Sequence, residues 1–131
     1  MSIYVEASAA AKLLVEEPES IPLAVRLEAW VAEGRAIWSS LLLETELRRL
    51  AQRLAIAQER VSDLLDRFDL VEPDALTYRT AGLLPGAHLR ILDALHVASA
   101  LQVDCRTMVT YDVRQAEAAR AAGLRIEAPR G

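Results

Sequence analysis

Short β-rich runs alternate with helical segments along this chain, and that alternation limits its fold more than any other feature. Runs that read as strands lie at Ser2–Glu6, Arg35–Trp38, Asp69–Val71, Thr107–Thr110 and Leu124–Glu127. Segments with helical pattern separate them. Strands that alternate with helices predict an α/β domain with a mainly parallel sheet, because parallel neighbours need a crossover connection. Crossovers place helices on both faces of the sheet. With 131 residues, 53% of them hydrophobic, the chain reads as a single domain over 1–131 that can bury its own core.

Local signals mark the helices. Ser8 is a candidate N-cap for Ala9–Val15, and Pro18 lies just beyond that helix. Pro22–Glu33 forms a second helix that Gly34 stops. Ser39 or Ser40 caps a long helix to about Gln58, in which Leu43, Leu47, Leu50 and Leu54 form a core stripe. Ser62–Phe68 and Asp74–Leu83 follow as helices. Ile91–Val103 is apolar nearly all round, which predicts deep burial. Val113–Ala122 closes at Gly123.

Composition excludes several classes. The lone cysteine, Cys105, rules out a disulfide framework and a cysteine-based zinc site, and fits a reducing, cytoplasmic setting. No apolar run approaches bilayer length, and the N-terminus lacks a signal-peptide pattern, so no membrane role is expected. A net charge of −4 argues against a non-specific polyanion binder. It leaves room for a nucleic-acid enzyme whose acidic site borrows positive charge from metal ions.

Most of the 19 acidic residues read as solvated. Glu16, Glu17 and Glu19 cluster in a loop, and Glu28, Glu33, Glu59, Asp63, Asp66 and Glu117 fall on polar faces. Four differ. Glu6 ends the first strand, and Asp112 follows the fourth after Tyr111. Open parallel sheets bind ligands beyond the carboxyl ends of their strands. Asp93 interrupts the apolar segment ILDALHVASALQV, with His96 and Ser99 at i+3 and i+6. A carboxylate there is costly to bury unless it is paired or binds a metal. Glu46 flanks the leucine stripe. Gathered carboxylates repel unless cations neutralise them, and hard oxygen donors suit Mg²⁺ or Mn²⁺. This pattern points to a carboxylate-cage nuclease. Taken singly, each acid reads better as a helix cap or a surface ion-pair partner; Asp93 and Asp112 together, both in apolar surroundings at the edge where sites form, turn the reading to a site.

The segments IYVEASAAAKLLVEEPES, SSLLLETELRRLAQR, LRILDALHVASAL and VTYDVRQAEAARAAGLRIEAP together resemble the PIN-domain ribonucleases of the VapC type, the toxin half of a toxin–antitoxin pair. The resemblance spans essentially the whole chain. It implies a three-layer domain with a central parallel sheet of order 3-2-1-4-5. It implies a Mg²⁺- or Mn²⁺-dependent endoribonuclease acting on structured RNA such as tRNA or rRNA. It also implies a homodimer and a cognate VapB-type antitoxin whose tail enters the acidic site. Matched motif by motif, the family's four acids fall on Glu6, Glu46, Asp93 and Asp112. Glu44 is a rival to Glu46, but spacing from the paired serines favours Glu46. Ser8 matches a small hydroxyl residue two positions after the first acid.

The chain departs from the family pattern at Glu6, where aspartate is usual. The extra methylene is expected to push the carboxylate outward, in a site that tolerates errors of only about 0.5 Å. That predicts attenuated activity, or in the alternative a catalytically impaired module that acts by binding its antitoxin or RNA. His96 lies one turn after Asp93, as a metal ligand, a proton shuttle or a hydrogen-bonding part of the site wall. Arg49, Arg53 and Arg114 are candidates for RNA phosphates, though Glu46–Arg49 also reads as a local pair. A phospho-acceptor receiver domain shares the layout. It needs an acceptor aspartate at the end of its third strand and a lysine at the end of its fifth. Here the third strand runs into Glu72-Pro73, and no lysine follows Lys12.

Overall fold

The structure is a computed structural model that describes residues 1–131. Its strands are β1 (Ile3–Val5), β2 (Ile37–Ser40), β3 (Asp69–Val71), β4 (Thr107–Val109) and β5 (Arg125–Glu127). They form one sheet of order β3-β2-β1-β4-β5, as the resemblance implies. Every neighbouring pair is parallel. The crossovers carry α1 (Ala7–Lys12), α2 (Ser20–Ala32), α3 (Leu42–Leu54), α4 (Gln58–Leu65), α5 (Ala75–Leu83), α6 (Ile91–Gln102) and α7 (Val113–Ala121). No helix is long and apolar enough to cross a membrane.

Side chains alternate across the sheet, and the two faces bury different partners. Ile3 and Val5 join Ala9, Leu23, Leu27, Trp30, Leu43 and Leu47 in one core, built from α1 to α4. Tyr4 points the other way and packs with Val97, Met108 and Ala119, beneath α6 and α7. On α6 every residue from Ala94 to Ala100 is buried, which fits its all-round apolar sequence. α5 covers the outer side of α6 through Ala81, Ala94, Leu95 and Ala98. The result is three layers with the sheet in the middle.

Several boundaries depart from the sequence reading, each for a local reason. The N-cap of α1 is Glu6, not Ser8, because the glutamate carboxylate reaches the Ser8 amide at 2.9 Å. Ser8 therefore sits inside the first turn. β2 runs on to Ser40, so α3 starts after Leu41, and Ser40 Oγ accepts only from the Leu42 amide, at 3.1 Å. The long helix expected to Gln58 stops at Leu54, where Ala55 turns left-handed at φ 54°. The helix expected at Ser62–Phe68 starts earlier, at Gln58, and Phe68 joins the core beyond its end. The core stripe is corrected accordingly. Leu43, Leu47 and Ala51 face inward at i, i+4 and i+8, and Leu50 packs half-buried against the same core, whereas Leu54 is 51% exposed at the end of the helix.

This packing predicts unequal costs along α3. Leu47→Ala should lower the unfolding free energy by about 2–5 kcal/mol, the usual range for a buried leucine. Leu54→Ala should change it by about 0.5 kcal/mol or less, as exposed positions do. Urea unfolding of both variants checks the difference.

Candidate functional site

Parallel pairing of β1 with β4 sets Val5 against Val109, so the next residues of both strands emerge at one edge. Glu6 leaves β1 there, and Thr110, Tyr111 and Asp112 leave β4. Both acids start helices. Glu6 caps α1, and Asp112 caps α7, with Oδ1 accepting from the amides of Arg114 at 2.8 Å and Gln115 at 3.1 Å. Asp93 lies in the first turn of α6, and Glu46 lies in α3. Glu6, Glu46, Asp93 and Asp112 line one open cleft with Ala7, Ser8, Arg90, Ile91 and Leu92.

The wall of this cleft is hydrogen-bonded with one repeated feature. Glu6 Oε1 accepts from the Ser8 amide, the Ser8 hydroxyl and the Thr110 hydroxyl, the last at 2.7 Å. Glu46 Oε1 lies 2.7 Å from His96 Nε2. One oxygen of Glu6, Glu46 and Asp112 is thus fastened to the protein, and the other has no protein partner. The Asp93 carboxylate has none at either oxygen. Only the Asp93 backbone carbonyl is held, by Gln115 Nε2 at 3.1 Å.

Burial and charge shape the acids. Glu6 is 3% exposed, and loss of water raises its pKa above the ordinary carboxylate value, against the pull of the Ser8 and Thr110 donors. Asp93 is also raised, first by burial and then by the negative charge of Asp112, with Arg90 opposing. The outward displacement expected for Glu6 is not what the structure shows. Its longer side chain folds back onto Ser8 and Thr110 and lies inside the protein.

The donor set, four carboxylates with free oxygens and no thiolate, fits a hard divalent cation in type. As the side chains stand, no three of them close on a common point. An ion held by Glu6, Glu46, Asp93 and Asp112 would therefore draw their carboxylates together.

The other singled-out residues separate. Ser8 does support Glu6, and its hydroxyl also accepts from the Tyr111 amide at 2.9 Å. His96 is buried between Glu46 and Tyr4 and does not open onto the cleft. Glu44 pairs with Arg48 at 2.8 Å, which leaves Glu46 to the site. Arg49 and Arg53 are exposed, line none of this cleft and make no ion pair with Glu46. Arg114 lines an adjoining cleft with His88, Arg90 and Asp93.

Sequence reading missed four contributors. Thr110 donates to Glu6 Oε1 and accepts from the Asp112 amide at 3.1 Å, joining the two strand-end acids through one hydroxyl. Gln115, fully buried, ties the start of α7 to the start of α6. Tyr4 holds His96, and Arg90 borders both clefts. Thr110 and Gln115 stand beside Asp112 in sequence, and that adjacency was the one available signal.

The raised pKa of Glu6 carries a pH signature. The folded protein holds the Glu6 proton more tightly than the unfolded chain does. Stability from this group is therefore greatest below the unfolded glutamate pKa and falls as pH rises through the folded one. Glu6→Gln keeps an oxygen for Ser8 and Thr110 and removes the buried charge. In metal-free protein the variant should be more stable than the parent at pH 7, and the gap should close near pH 4. Thermal melts across that range, in chelator, read it directly.

Comparison with known proteins follows the same lines. The profile of the PIN domain family matches residues 3–121. Ribonuclease VapC35 of Mycobacterium tuberculosis (strain ATCC 25618 / H37Rv) is 38% identical over 136 residues, covering 97% of this chain and 96% of its own length. Ribonuclease VapC46 of the same strain is 35% identical, covering 98% of each. The crystal structure of VapBC2 from Rickettsia felis, bound to a DNA fragment from its promoter, superposes with a TM-score of 0.74. At 18% identity over 97% of this chain and 98% of that one, it speaks for the fold alone. Matched by sequence over nearly its full length and by strand order throughout, the chain belongs to the PIN domain family and stands among its VapC-type members.

Proposed function

We propose that this protein is the endoribonuclease toxin of a VapBC-type toxin–antitoxin pair, and that it hydrolyses RNA with Mg²⁺ or Mn²⁺ held by Glu6, Glu46, Asp93 and Asp112. One observation carries the reading. Acids from four separate segments line a single cleft at the carboxyl edge of the sheet, each with an oxygen that the protein leaves free. The ribonuclease names of its relatives agree with it.

A bound ion would supply charge for the phosphoryl oxygens and ease deprotonation of the attacking water. The chain's own part is orientation and phosphate binding. His96, Ser8, Thr110 and the α7 amides hold the carboxylates in place. Arg90, Arg114 and His88, which border the cleft beyond Asp93, offer donors to the phosphates that flank the scissile bond. The partner that restrains the enzyme is a VapB-type antitoxin. A second copy of the chain would cover the apolar hollow between α5 and α6, where Tyr78 and Ile91 are 54% and 79% exposed.

The buried posture of Glu6 favours a second reading, in which the site is attenuated or spent and the chain acts by binding. Cleavage of folded RNA separates the two. The purified protein should cut in Mn²⁺ and stop in chelator, and Asp93→Ala should lose at least about a hundredfold in rate, as loss of a preorganised electrostatic contact does. Glu6→Asp should raise both rate and Mn²⁺ affinity. Parent activity at the Asp93→Ala level, with RNA or antitoxin still bound, would establish the binding module instead.

A further inference from the structure

Tyr4 stands in the middle of β1 with its side chain wholly buried on the α6 face of the sheet. Phenylalanine would fill that space without bringing in a polar atom. A buried hydroxyl is costly unless it is hydrogen-bonded, so its partner matters. Tyr4 Oη lies 2.7 Å from His96 Nδ1, and the two rings meet edge to face at 5.8 Å. On the far side of the imidazole, Nε2 lies 2.7 Å from Glu46 Oε1. Two short contacts thus run from the sheet interior, through an imidazole that is 1% exposed, to a carboxylate of the cleft.

Of the two neutral tautomers of His96, the contacts fit one. With the ring proton on Nδ1, Nε2 would direct a lone pair at a carboxylate oxygen 2.7 Å away. With the proton on Nε2, that nitrogen donates to Glu46, and Nδ1 accepts from Tyr4.

We propose that Tyr4 is a positioning residue for Glu46: by fixing the tautomer and tilt of His96, it determines where the Glu46 carboxylate stands and so how tightly the cleft holds a divalent cation. The inference rests on the metal-site reading above. Groups that orient a ligand from behind it typically contribute about 10–100-fold in metal affinity.

The test uses Tyr4→Phe, which removes one hydroxyl and keeps the ring. Mn²⁺ binding followed by electron paramagnetic resonance should weaken about tenfold or more. In metal-free protein, ¹⁵N-correlated imidazole spectra should change from a single Nε2–H form of His96 to a mixture. His96→Gln supplies a rescue, since its amide nitrogen can donate to Glu46 without Tyr4. It should keep more Mn²⁺ affinity than His96→Leu, and adding Tyr4→Phe to it should cost nothing further. Unchanged Mn²⁺ affinity with an unchanged Nε2–H spectrum in Tyr4→Phe would overturn the proposal. So would losses that simply add in the double variant with His96→Gln. If the parent protein binds no Mn²⁺, the metal reading fails by itself. The imidazole spectra of Tyr4→Phe then decide alone, a shifted tautomer supporting the positioning role and an unshifted one refuting it.

Discussion

Parallel pairing between β1 and β4 is the constraint on which the rest of the structure depends. It joins two segments about a hundred residues apart in register, with Ile3, Tyr4 and Val5 against Thr107, Met108 and Val109. Because the pair is parallel, both strands finish at the same edge, and the acids that follow them arrive together. Antiparallel pairing would have sent Glu6 and Asp112 to opposite ends of the sheet. Side-chain alternation along β1 does a second job. Ile3 and Val5 anchor the α1–α4 core, while Tyr4 points to the other face and reaches His96.

Bringing carboxylates into one cleft works against folding, as the raised pKa values of Glu6 and Asp93 record. The protein answers this with donors placed behind the acids. Glu6 is met by Ser8 and Thr110, Glu46 by His96, and Asp112 by the first amides of α7. Each donor takes one oxygen and leaves the other, so the charge is stabilised without being used up. Asp93 has no such donor, and its carboxyl pKa is raised by burial and by Asp112. These supports also join the acids mechanically, through the Thr110 hydroxyl between Glu6 and Asp112 and through Gln115 between α7 and α6.

Much of this was legible in the sequence where the signal was local and periodic. The alternation of strands and helices pointed to a parallel sheet, and the match of motifs to the VapC type implied its order. The apolar run around Asp93 correctly indicated a buried helix with an acid at its rim. Errors came where a long-range contact overrode a local preference. Ser8 has the chemistry of an N-cap, yet Glu6 takes that place, because a glutamate held over the helix start by Thr110 can bend back to the Ser8 amide. The leucines of α3 matched a helical stripe, yet Leu54 lies outside it, because the helix ends in a left-handed residue there. Arg49 shares a helix with Glu46, yet His96, fifty positions away, takes that carboxylate.

The sequence by itself determined the layered parallel fold, the helix that buries Asp93 and the positions at which acids leave the sheet. Periodicity and strand ends belong to short stretches of chain, so they can be read without coordinates. Only the tertiary structure decided which oxygen of each acid is held and which is free, and that Tyr4 stands behind His96 and Glu46. It alone decided that Glu6 turns inward. The direction of a flexible side chain depends on donors and on burial supplied by segments far away in sequence, and these exist only once the sheet has brought them together.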